Sequence, residues 1–238
     1  MTETQKEAIV IIFAKAPDPG SVKSRLHPIL NPEERARLQA AMIFDTLLLS
    51  DPLPCRRLLA CAPSVDHPFF VKCRRERSID LIPQVGESLG ARMENAFLWG
   101  FGQGFQKVVL IGCDAPTLPA DLIRQAFDYL DRSPAVIGPS LDGGYYLIGA
   151  RPPLPDLFNG IQWGSDQVLI ETLRKVNGEK LDCALLPFWY DIDRPTDLIF
   201  LKQILALHER QGAPLPKETS LFLRSISWES RYGMGGQE

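Results

Sequence analysis

The chain has little of what a zinc protein, a disulfide scaffold or a membrane protein requires. Its five cysteines (Cys55, Cys61, Cys73, Cys113 and Cys183) are odd in number and scattered, with no C-x-x-C pair. That pattern fits a reducing compartment and neither a zinc ribbon nor a disulfide framework. Only three histidines are present, none paired at ligand spacing, so a histidine-based metal site is not expected. No apolar run approaches the ~20 residues that cross a bilayer. The opening segment 1–7 is polar, so no secretory core is expected ahead of the first strand, and a cytoplasmic location follows as an expectation. The formal net charge of -3 leaves no broad basic field for nucleic acid or an anionic membrane. The first apolar run is not followed by G-x-G-x-x-G, the dinucleotide fingerprint, which counts against an oxidoreductase.

What is present is an alternation of short apolar runs with longer helical periods. Strands are expected near 9–14, 57–62, 78–83, 107–112, 135–139, 145–150 and 181–186, and helices near 32–50, 89–102, 120–132, 165–176 and 195–209. Segment 69–77 reads either as a short helix or as a solvated basic loop. Asn31, Pro32, Glu33 and Glu34 form a helix start, with a capping side chain, proline at the first position and acids in the first turn. Thr117 and Asp121 are read as caps of the helix that follows them. Strands alternating with helices imply a doubly wound α/β sheet covered on both faces, with ligands outside the C-terminal strand edges. A domain over 1–210 and a peripheral extension over 211–238 are expected, the latter rich in Pro, Gly and polar residues.

Four segments then carry chemistry. The run Ala8-Ile-Val-Ile-Ile12 is a buried strand that empties into Phe13-Ala-Lys-Ala-Pro-Asp-Pro-Gly-Ser-Val-Lys-Ser-Arg-Leu26. Ala14 and Gly20 allow backbone N–H groups to approach an anion, and Lys15, Lys23 and Arg25 neutralise it; the same loop also reads as a basic surface. Asp114 emerges just past the strand 107–112, where it either binds Mg²⁺ or Mn²⁺ through hard oxygens or makes a turn. Asp142-Gly143-Gly144 reads as a hairpin turn and equally as a place where a substrate approaches the backbone. Asp191 and Asp193 alternate around Ile192 and face one side of an extended segment. Asp197 falls in a first helical turn, which leaves Asp193 as the better metal ligand, paired with Asp114 across a diphosphate. Weaker signals are Gln84, Gly90 and Arg92, which read a base or sugar edge, and Trp163, which either stacks on a ring or packs on the sheet.

Taken in order over about residues 8–205, strand-FAKAP-PG-VK-RL, Gln-x-Gly-x-x-Leu-Gly-x-Arg-Met, Ile-Gly-x-Asp-x-Pro-x-Leu, Asp-Gly-Gly-Tyr-Tyr-Leu-Ile-Gly and Asp-x-Asp-x-Pro-x-Asp-Leu resemble the selenodomain-associated transferase family. That family lies within the nucleotide-diphospho-sugar transferase superfamily. The resemblance implies a three-layer α/β/α, Rossmann-like GT-A fold with a mostly parallel mixed central sheet. The closing segment is also similar to the metal-binding end of cytidylyltransferases and guanylyltransferases. It implies that Asp114 and Asp193 take Mg²⁺ or Mn²⁺. Ser24 and Arg194 depart from the threonines that relatives carry; Arg194 either contacts a phosphate or points to solvent. The resulting expectation is a metal-dependent enzyme using a nucleotide-diphosphate sugar. Lys15, Lys23 and Arg25 hold phosphates, Asp142 with Lys23 acts in catalysis, and Asp142, Gly143, Gly144 and Trp163 face a small-molecule acceptor. A nucleotidyltransferase acting on an NTP and a non-catalytic nucleotide-binding module are the alternatives. The sequence sets neither base, sugar, acceptor nor oligomeric state.

Overall fold

Residue alternation along the strands dictates the layering. In β1 (Ala8–Lys15), Val10, Ile12 and Ala14 enter one buried cluster while Ile9 and Ile11 enter another. β4 (Lys107–Ile111) divides its side chains the same way, Val109 and Ile111 against Val108 and Leu110. Both strands are unbroken apolar runs because both faces of the sheet are covered. The computed structural model describes residues 7–228. Within it, β2 (Arg56–Ala62), β3 (Asp80–Pro83), β5 (Ala135–Pro139), β6 (Tyr145–Ala150) and β7 (Cys183–Leu185) complete a seven-stranded sheet of order β3-β2-β1-β4-β6-β5-β7. β6 runs antiparallel to β4 and β5, and every other pairing is parallel.

Helices α1 (Pro32–Ser50), α2 (Pro68–Arg77) and α4 (Ala120–Tyr129) supply Ile43, Leu47, Phe70, Cys73, Leu122 and Ala126 to the first cluster. On the other face, α3 (Leu89–Gly102) and α5 (Val168–Gly178) supply Met93, Phe97, Leu169 and Val176. The result is the three-layer, mostly parallel mixed sheet expected from the resemblance. The chain leaves β1 for β2 and β3 on one side, then crosses to β4 on the other. That switch opens a crevice at the C-terminal ends of β1 and β4. Among the described residues, no helix is long and apolar enough to cross a membrane.

Helix α1 starts as its sequence predicts: Glu34 N–H donates to Asn31 Oδ1 at 2.8 Å, and Asn31 N–H donates to Glu34 Oε2 at 2.9 Å. Elsewhere the structure corrects local expectations. The ambiguous segment 69–77 is helical. Ser78 adopts a left-handed conformation (φ 48°) as the C-cap of α2, so β3 begins only at Asp80. Neither Thr117 nor Asp121 caps α4, whose N-cap is Pro119. The Thr117 hydroxyl donates to the Tyr190 hydroxyl at 2.8 Å, and Asp121 pairs with Arg124. Helix α5 begins at Val168 rather than near Ser165, which shapes the preceding turn by donating to Gln162 O at 2.8 Å.

The tail is less peripheral than its composition suggests. Helices α6 (Pro195–Arg210) and α7 (Lys217–Arg224) join the outer side of α1 in a third cluster built from Leu26, Leu38, Met42, Ile192, Leu201 and Phe222. The expected extension 211–238 is thus packed through residue 228, and its remainder lies outside the described residues. Asp45, a buried carboxylate on α1, accepts the backbone N–H groups of Glu218 at 2.9 Å and Thr219 at 2.7 Å. These are unpaired donors of the first turn of α7, where a carboxylate is favoured. Asp45→Ala therefore removes two buried acceptors and is expected to cost about 1–3 kcal/mol. The check is the urea midpoint of the full chain. An unchanged midpoint would show that α7 does not depend on this carboxylate.

Candidate functional site

The loop leaving β1 is held in shape by its own polar groups. Lys15 Nζ donates to Ser21 O at 2.7 Å, and Ser21 N–H and hydroxyl donate to Asp18 O at 3.1 and 3.0 Å. Asp18 is pinned from outside by His67. The His67 Nδ1 accepts Phe69 N–H at 3.2 Å, so Nε2 carries the proton toward Asp18 Oδ1 at 3.0 Å. The loop walls a cavity of about 790 Å³ at the C-terminal ends of β1 and β4, with Ala14, Lys15, Gln84, Arg92, Asp114 and Asp193 also on its surface. Gln84 spans two strand ends: its Nε2 donates to Ala14 O at 3.1 Å and to Ala60 O at 2.8 Å. With both amide hydrogens engaged, only its carbonyl oxygen is left to recognise a ligand, and it can only accept. Arg92 Nε donates to Gly86 O at 2.9 Å, which orients its guanidinium along the same wall.

At the floor of this cavity lies Lys23. Its Nζ donates to Asp193 Oδ1 at 2.9 Å and Ile192 O at 2.8 Å and forms an ion pair with Asp114 Oδ1 at 2.7 Å. Asp114 O in turn accepts Ile192 N–H at 2.8 Å. The Lys23 side chain is only 3% exposed. Burial alone would lower its pKa, but the two carboxylates outweigh burial and raise it above the ordinary lysine value. Burial works against the Asp193 carboxylate, and Lys23, Arg25 and Arg194 outweigh it, so its pKa lies below the ordinary range. Asp193 is held further from the other side, because Asp197 Oδ2 accepts the N–H groups of Asp193 and Arg194 at 3.1 and 2.7 Å.

A second cavity, about 550 Å³, adjoins the first and shares Leu89, Asp114 and Asp193 with it. Its charged wall consists of Asp114, Asp142, Asp166, Asp191 and Asp193 against Arg25 and Arg194. Asp142 makes the expected turn. It sits in the turn joining β5 to β6, where its Oδ1 accepts Gly144 N–H at 3.0 Å, and it remains exposed on the cavity wall. Gly143 (φ 92°) belongs here because a Cβ would lie 2.1 Å from Asp166 O, a contact no other residue could make. Burial first, and then the charge of Asp114, push the Asp191 carboxyl up to about 7, opposed by the Ser140 hydroxyl, which donates to Asp191 Oδ2 at 2.8 Å. Trp163 lies on the wall of this cavity and packs directly over Gly90, where a Cβ would fall 2.4 Å from the indole nitrogen.

Most of the residues singled out in the sequence therefore gather at one place. Ala14, Lys15, Lys23, Gln84, Arg92, Asp114 and Asp193 line the first cavity, and Arg25, Asp142, Gly144 and Trp163 line the second. Gly143 faces a third, neighbouring hollow. Gly20 only shapes the loop tip at φ 84°, and Gly90 lies beneath Trp163. Lys23, expected as a phosphate ligand and catalytic group, lines the first cavity with its ammonium engaged by protein groups. Two of its N–H bonds go to Asp193 Oδ1 and Ile192 O, and Asp114 Oδ1 lies 2.7 Å from the same nitrogen. For the same reason the expected metal meets an obstacle, since the gap between Asp114 Oδ1 and Asp193 Oδ1 is filled by Lys23 Nζ. As arranged, the pair does not fit a divalent ion there. Asp166 and Ser140 carried no signal in the sequence, and Asp191 carried only its alternation with Asp193.

No curated protein sequence matches this chain. Among solved structures, a protein from Desulfovibrio desulfuricans G20 described as a "putative nucleotide-diphospho-sugar transferase" is 32% identical, with 91% of this chain and 94% of that one covered and a TM-score of 0.82. CMP:2-keto-3-deoxy-manno-octonic acid synthetase complexed with CTP shares the fold at 11% identity, covering 86% of this chain and 99% of that one with a TM-score of 0.54. So does 4-diphosphocytidyl-2C-methyl-D-erythritol synthase from Anaerococcus prevotii DSM 20548, at 11% identity, 84% and 99% coverage and a TM-score of 0.52. The family model described as "Uncharacterized protein conserved in bacteria (DUF2064)" matches residues 47–165, from the end of α1 to the turn before α5, and the chain belongs to that family.

Proposed function

We propose that the protein is a nucleotide-utilising transferase that moves a sugar from a nucleotide-diphosphate sugar to an uncharged hydroxyl acceptor. The observation that carries this reading is the pair of cavities meeting at Asp114 and Asp193, one walled by the β1 loop with Lys15 and Arg92, the other with five carboxylates against two arginines. A diphosphate suits the first. A phosphorylated acceptor is less favoured in the second, where carboxylates outnumber the cations around them. The 32% identical relative described as a "putative nucleotide-diphospho-sugar transferase" supports the same class, and the likeness to the selenodomain-associated transferases belongs with it.

In this reading the base enters the cleft beside Gln84, which offers an acceptor, and the diphosphate lies along Lys15, Arg92 and the loop N–H groups. The acceptor oxygen forms a bond to the anomeric carbon as the bond from that carbon to the diphosphate oxygen breaks. The electron pair leaves on the nucleoside diphosphate, where the fixed cations and N–H dipoles stabilise it. Asp142 takes the acceptor proton: its Oδ1 is fixed by Gly144 N–H, and its other oxygen is open to the cavity. One observation favours a second reading, nucleotidyl transfer. Arg25 and Arg194 stand at the rim of the acidic cavity and offer a place for an acceptor phosphate.

The product separates the two. Incubated with a panel of nucleotide sugars and neutral polyhydroxyl acceptors, the protein is expected to release nucleoside diphosphate. Pyrophosphate released from an NTP plus a phosphorylated acceptor would establish nucleotidyl transfer instead. Binding of nucleotide without turnover on either panel would leave a binding module. Asp142→Asn keeps an oxygen for Gly144 N–H and removes the base. It is expected to lower kcat about 10²–10⁴-fold with nucleotide affinity unchanged, and a kcat within error of wild type would remove Asp142 from the proton transfer.

A further inference from the structure

The ammonium between Asp114 and Asp193 is built in rather than incidental. It donates to Asp193 Oδ1 at 2.9 Å and to Ile192 O at 2.8 Å, neighbours on one segment, and pairs with Asp114 Oδ1 on another at 2.7 Å, and its side chain is 3% exposed. Lys23 also adopts a left-handed backbone conformation, φ 50° and ψ 38°, which is uncommon for a residue with a Cβ and persists where surrounding contacts enforce it. A Mg²⁺ ion bound to the same two oxygens sits at about 2.0–2.1 Å from each. It would have to occupy the space already filled by Nζ and face its positive charge. A further positive charge, Arg25 Nη1, stands 3.9 Å from the outer oxygen of Asp193.

We propose that the Lys23 ammonium is the resident cation of this site, taking the place expected for a divalent ion, so that the nucleotide diphosphate binds without divalent metal. The ammonium offsets one of the two carboxylate charges from beneath, and Arg25 stands 3.9 Å from Asp193. The cations left facing the diphosphate are Lys15 and Arg92, on the same cavity wall. The proposal depends on the transferase reading only for its nucleotide arm, because the metal arm concerns the bare protein.

Two measurements on the full chain test it. In the first, affinity for a panel of nucleoside diphosphates is measured by calorimetry in EDTA and in Mg²⁺. The expected difference is less than about tenfold, and a loss of about tenfold or more in EDTA overturns the proposal. In the second, Mn²⁺ alone is titrated and followed by electron paramagnetic resonance. Wild type is expected to show no Mn²⁺ site that Asp114→Asn removes, whereas Lys23→Ala gains one that the added Asp114→Asn abolishes. An Asp114-dependent Mn²⁺ site in wild type, or a folded Lys23→Ala that gains none, overturns the proposal. If Lys23→Ala is unfolded by circular dichroism, the comparison of wild type with Asp114→Asn decides it. If no nucleotide binds under any condition, the transferase reading fails and the Mn²⁺ titration still decides between Lys23 and a metal.

Discussion

One buried ammonium holds three otherwise independent pieces of chain in register. Lys23 comes from the loop after β1, Asp114 from the end of β4, and Ile192 with Asp193 from the segment leading into α6. All three meet at a single nitrogen. Removing a partner from such a cluster strands a charge away from water, which costs far more than the intact cluster contributes. The crevice at the sheet switch point therefore has a fixed floor. Both cavities take their common wall from that floor, and the proposed chemistry occurs above it.

The rest of the site is arranged by shape as much as by charge. Gly143 and Gly90 are positions where a Cβ would collide with Asp166 O and with the Trp163 ring. They let the β5–β6 turn and the start of α3 close on the segment that precedes α5. Leu169 N–H donating to Gly143 O at 2.8 Å completes that closure. The acidic cavity is thus made by two turns and a helix start pressed together.

The sheet and most helices were legible because their signals are local. β1 and β4 announce themselves as β-branched runs covered on both faces, and Asn31 with Glu34 marks α1 unaided. The gathering of Lys15, Gln84, Arg92, Asp114, Asp142 and Asp193 was legible for a related reason: each follows a strand or a turn, and the C-terminal strand edges lie on one side of the sheet. The partners of Lys23 were not legible. A lysine in a basic loop reads as free for an anion, and only the crossing from β1 to β4 brings it against two aspartates. Asp166 was hidden because a glycine contact, not a motif, places it. Thr117 and Asp121 misled because proline at the helix start left no capping role for them.

The third cluster links places that look unrelated. Leu26, three residues past Lys23, and Ile192, between Asp191 and Asp193, share one apolar core with Phe222 and Leu223 of α7. That core rests on α1, to which Asp45 ties the first turn of α7. Helix α7 thus acts as a wedge behind the two loops that carry the ion cluster. In a survey of random substitutions, α7 would be counted with the site, though none of its side chains reaches the cleft.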